Sequence, residues 1–147
     1  MYYQLVFSIH IYVSVVSLLS AILLIYRSIR GIIRKRNFTW ADRFLSAVFV
    51  SSLYLQSLLG LLLYFSLDSK NNATLEAAQA MYNIHLRFWA IEHFSLMLFA
   101  LFLSQLGKFF AAKTISHLQK FRINLFYQGS ALLLIFISIS IALFSKM

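Results

Sequence analysis

His10, Arg87, Glu92 and His93 are ionisable residues set inside apolar sequence, with Gln56 in a further apolar run and His85 at the edge of one. An ionisable group in lipid costs roughly 2.5–3.5 kcal/mol at the bilayer centre, so such residues face the protein interior and mark sites by default. Two imidazoles and a carboxylate support three kinds of chemistry. In the first, His10 and His93 are axial ligands of a haem b iron, with Glu92 orienting a group behind them. In the second, His10, Glu92, His93 and Gln56 form a buried polar network that fixes helix register without a cofactor. In the third, the same cluster is a quinone or proton site, since intramembrane Glu and His carry protons. A bare metal ion ranks below these, because Glu92 and His93 are adjacent and sit about 100° apart around a helix. Arg87 is five residues from Glu92, a poor spacing for a pair along one helix. It is expected to snorkel or to pair elsewhere at the edge of the network.

Membrane helices must position these groups. Of 147 residues, 61% are hydrophobic and 12% charged, and the mean hydropathy is +0.80. A soluble domain is about a quarter charged, so the apolar surplus is too large for a water-facing surface. With no Cys there is no disulfide, thiolate metal site, iron–sulfur cluster or covalent haem attachment. A helix needs about 20 apolar residues to cross a bilayer, because its backbone must bond within itself. Four runs qualify: Leu5 to Tyr26, Phe44 to Leu67, Ile84 to Leu106 and Ile123 to Phe144. None alternates polar and apolar as a barrel strand does. The expected fold is all-α, a single transmembrane four-helix up-down bundle spanning residues 1–147. Thr74 to Met81 also reads as helix-forming sequence, either an extension of the third span or a short surface helix.

Charge sets the orientation. The net charge is +9, and ten of the thirteen Lys and Arg residues lie in two connections, Arg27 to Arg43 and Gly107 to Arg122. The positive-inside rule makes those connections cytoplasmic and puts both termini and the middle loop on the other side. Arg27 and Arg30 directly after the first run read as a stop-transfer signal, so that run is expected to be a membrane span and not a cleaved leader. The basic residues sit between membrane segments and not on one face or groove, which argues against nucleic acid as a partner. They are placed to touch anionic lipid heads. His117, among Lys113, Gln119 and Lys120, is expected at the solvated surface.

Each span carries a stripe of small or polar residues at helical spacing. The stripes are His10-Ser14-Ser17-Ala21, Ser52-Gln56-Gly60, Ala90-His93-Met97-Ala100-Ser104 and Gln128-Ala131-Ile135-Ser138-Ala142. Close helix packing accounts for the Ser, Ala and Gly members, since lipid gives apolar residues no reason to associate and small ones let backbones approach. It does not account for His10, Glu92 or His93. Helices one and three are diagonal in an up-down bundle, and a diagonal gap accommodates a porphyrin between two imidazoles. No phosphate-binding loop or nucleophile–base pair is present at diagnostic spacing, so a self-contained catalytic activity is not expected.

The run Leu55 to Phe65, with Gln56 and Gly60, resembles the second helix of a family of small bacterial four-helix membrane proteins often labelled cytochrome b. Arg87-Phe88-Trp89-Ala90-Ile91-Glu92-His93, followed by Met97 and Gly107, is similar to that family's third helix, and His10 fits its first. The resemblance spans nearly the whole chain. It implies a bacterial inner-membrane protein in electron transfer, with haem b on His10 and His93 and Gln56, Arg87 and Glu92 in support. Quinone or other membrane-complex subunits are the implied partners. Tyr54 stands where the family pattern leads one to expect a histidine before the Gln-Leu-Leu-Gly-type run. The alternative role is a cofactor-free accessory or assembly subunit of a larger respiratory or transport complex.

Overall fold

The structure, a computed structural model, describes residues 2–68 and 88–144. Four α-helices account for nearly all of it: α1 Tyr2–Arg34, α2 Trp40–Asp68, α3 Phe94–Lys113 and α4 His117–Phe144. A single π-helical turn, Phe88–His93, leads into α3. There is no strand among the described residues. All four helices are long and apolar enough to cross a membrane. The chain has no proline to break them.

The helices outrun the apolar stretches at the end where α1 meets α2 and α3 meets α4. The first was expected to stop at Tyr26 and continues to Arg34; the third continues past Leu106 to Lys113. The second and fourth begin at Trp40 and His117, earlier than Phe44 and Ile123. Arg and Lys are good helix formers, so helical structure persists where the sequence turns basic. The expected helix over residues 74–81, together with His85 and Arg87, lies outside the described residues.

Local chemistry stops and restarts the chain at this connection end. Lys35 takes a positive φ of 50°, and the Arg36 N–H reaches back to the Gly31 carbonyl at 3.2 Å, which is the long-range bond of a Schellman stop. Asp42 then receives both the N–H and the hydroxyl of Thr39, each at 2.9 Å, half of a capping box at the start of α2. Ser116 plays the corresponding part for α4, its Oγ accepting the Gln119 N–H at 3.4 Å. The two connections also touch: the Phe38 N–H donates to His117 Nδ1 at 3.1 Å. His117 is exposed, as expected, and additionally ties the two hairpins together.

Each helix packs against two neighbours. α1 lies against α2 and α4, and α3 lies against α2 and α4, which leaves α1 and α3 on one diagonal and α2 and α4 on the other. The apolar centre is Ala21 and Leu24 of α1, Phe49 and Leu53 of α2, Ala100 of α3, and Ala131, Leu132 and Ile135 of α4. Around it the usual distribution is inverted. Ser17, Ser28, Ser104, Ser138, Gln56, Asn124 and Gln128 are buried, whereas Leu19, Phe99, Phe102, Phe126 and Leu133 face outward. Lipid is the solvent that makes this distribution stable, because it has no affinity for polar groups and none to lose against Leu or Phe.

Candidate functional site

The site lies toward the end of the bundle where α1 begins and α4 finishes, the terminal end. α1, α2, α4 and the π-helical turn before α3 contribute to it. Gln56 of α2 donates its Nε2 to the His10 carbonyl at 3.1 Å and to the Ser14 hydroxyl, joining α2 to α1. His93 closes the π-helical turn, and its Nδ1 stands 2.7 Å from Ser138 Oγ of α4. His10 on α1 and His93 at the start of α3 stand on the diagonal of the bundle, toward the same end. Ser138 is fully buried and both histidines are half-buried.

Two features shape this layer beyond helix periodicity. A π-turn inserts an extra residue per turn and rotates the residues after it to a new facing, and such turns recur at functional sites. Here it carries Glu92 and His93. Two acceptor-capable atoms in the layer, His10 Nδ1 and Gln56 Oε1, are buried without a hydrogen-bond partner among the described residues. A buried polar atom left this way costs about 1–3 kcal/mol. The layer therefore has unused capacity to bind something.

The structure thus brings His10, His93 and Gln56 into one layer. Glu92 is half-buried beside His93, and Arg87 lies outside the described residues. Sequence reasoning placed Ser14 and Ser138 in the packing stripes and missed their hydrogen bonds to this layer. The available signal was their position in line with His10 on the first stripe and with Gln128 on the fourth.

Among the described residues no three His, Cys, Asp or Glu side chains gather as a metal-binding group. A bare ion would be short of ligands here. A metal that arrives with four in-plane nitrogens needs only two more donors, and imidazole suits iron. Two imidazoles match that number of donors, and the Ser138 contact at Nδ1 orients the His93 ring, as a partner behind a metal-bound imidazole does.

The fold and this layer define a class: a multi-pass helical membrane protein with a polar, imidazole-bearing interior. Searches against family models, curated proteins and solved structures give no match to this chain.

Proposed function

We propose that the chain is a b-type cytochrome-like membrane protein of electron transfer, holding haem b between α1 and α3 through His10 and His93. The observation that supports this reading is that two half-buried histidines, one on α1 and one in the turn that opens α3, lie toward the same end of the bundle on its diagonal. Haem would supply a one-electron carrier there. Ser138 keeps the His93 ring oriented, and Gln56 holds the α1 backbone at His10 against α2. Excess positive charge at the connection end orients that end to the cytoplasm of a bacterial inner membrane. The histidine layer then sits in the outer half of the bilayer, suited to exchange electrons between quinone or a membrane partner and an outer-side acceptor.

A second reading, a cofactor-free accessory subunit of a larger membrane complex, is favoured by one observation. The Gln56 and His93 hydrogen bonds each join neighbouring helices and would fix register with no cofactor present.

Absorption spectroscopy separates the two. The full chain, purified from haem-replete cells, is expected to show a Soret band that shifts on dithionite reduction, with about one haem per chain. His10→Ala and His93→Ala should each remove or shift that band while the helical circular dichroism is retained. A colourless wild-type protein that co-purifies in fixed ratio with a respiratory or transport assembly would establish the second reading instead.

A further inference from the structure

A second polar layer lies in the other half of the bundle, away from His10 and His93. Asn124 and Gln128 are one turn apart on α4 and are 1% and 0% exposed; Ser104 of α3 is 0% exposed and Ser46 of α2 is 4% exposed. Gln128 Nε2 donates to the Ser104 carbonyl at 3.1 Å, which sets α3 and α4 at one height. The Arg27–Asp42 ion pair sets α1 against α2 one turn nearer the connection end than Ser46. Gly31 against Phe121 sets α1 against α4 in the same way, one turn nearer that end than Asn124. Antiparallel progression from these two contacts brings Ser46, Ser104, Asn124 and Gln128 to within about one helical turn of a common height.

Five polar atoms of this layer have no hydrogen-bond partner among the described residues: Ser46 Oγ, Ser104 Oγ, Asn124 Nδ2, Asn124 Oδ1 and Gln128 Oε1. A set of this kind is not a metal site. It mixes donors with acceptors, contains no carboxylate, and lies one turn from the guanidinium groups of Arg27 and Arg36. Nor does it suit an anion, since two of the five atoms are amide oxygens, which only accept. Water both donates and accepts, and more than one molecule, each making two to four bonds, would satisfy the five atoms.

We infer that Ser46, Ser104, Asn124 and Gln128 form an internal water-binding site within the bundle. It is bounded on the connection side by the buried Phe121 ring, against which Phe38 packs at 5.1 Å between centroids. On the other side it is bounded by the apolar centre of Leu24, Phe49 and Ala131. That centre separates this site from the histidine layer.

The test is water-edited solid-state NMR on the full chain in lipid bilayers, with water itself as the probe. Magnetisation from water should reach the Asn124 and Gln128 side-chain amides several-fold faster than the Ala131 and Leu132 methyl groups. In Asn124→Leu, transfer to the Gln128 amide should slow several-fold, because one wall of the site has become apolar. Amides in the wild-type protein as slow as the Ala131 methyl would overturn the inference, since the side chains would then pair directly in a dry interior. Unchanged transfer at Gln128 in a folded Asn124→Leu would overturn it as well. The wild-type comparison decides by itself should that variant fail to fold. Neither arm depends on haem, so the result stands apart from the fate of the cytochrome reading.

Discussion

Asp42 is the most heavily bonded side chain of the connection end. Its two oxygens accept from Arg27 Nε at 2.8 Å, from Arg36 Nη1 and Nη2 at 2.8 and 2.7 Å, and from the Thr39 N–H and hydroxyl. The carboxylate is 1% exposed while the two arginines keep about a third of their surface. Such a pair is costly to break from one side, because the remaining charges stay partly desolvated. Partial exposure of the arginines lowers that cost below the value for a fully buried pair. Arg36 also lies over the Phe121 ring at 4.6 Å, so this one residue ties the first connection to α4. Asp42→Asn is expected to lower stability by roughly 2 kcal/mol, read as an earlier midpoint in thermal or SDS unfolding of the purified protein. An unchanged midpoint would reduce Asp42 to an ordinary cap.

At the scale of elements, glycine positions distinguish true contact seams from incidental ones. A Cβ on Gly107 of α3 would stand 2.5 Å from the Tyr127 Cβ of α4, a contact no rotamer change relieves. One on Gly31 of α1 would fall 2.6 Å from the Phe121 ring. At Gly60 and Gly129 an added Cβ meets nothing within 4 Å. Gly60 therefore belongs to its stripe by sequence spacing alone. Gly107→Ala is expected to force α3 and α4 apart and destabilise the bundle by about 1–3 kcal/mol, as overpacking does. Gly60→Ala and Gly129→Ala should be neutral or stabilising by up to about 1 kcal/mol through helix propensity. Equal unfolding midpoints for Gly107→Ala and Gly60→Ala would show that the α3–α4 seam is not closely packed.

For the whole molecule, the chain alternates layers along the bundle: an arginine–carboxylate cluster at the connections, a polar layer around Asn124 and Gln128, an apolar centre, and the histidine layer. Its orientation rests on the distribution of basic residues, ten of thirteen in the connections and the helix ends beside them, Arg27 to Arg43 and Gly107 to Arg122. The chain contains no cysteine, so single cysteines report topology without background. Asn72→Cys should react with an impermeant maleimide added to intact cells, and Lys35→Cys only after permeabilisation. The reverse pattern would invert the bundle and move the histidine layer to the cytoplasmic half.

The number of helices, their pairing through short connections and most of their inward stripes are legible in the sequence. A bilayer forces each apolar run to satisfy its own backbone, and small residues at helical spacing name the face that meets a neighbour. Ser17 reaching Ser52 at 2.8 Å is that rule at work. Periodicity along one helix says nothing, however, about its height and rotation against the others. Those are set by interlocking side chains from all four helices together. They decide that Ser138 meets His93, that Gln56 reaches the His10 carbonyl, that Asp42 gathers two arginines from either side of a turn, and that Asn124 closes a second polar layer. A helix can announce what it buries; only the packed bundle fixes what each buried group faces.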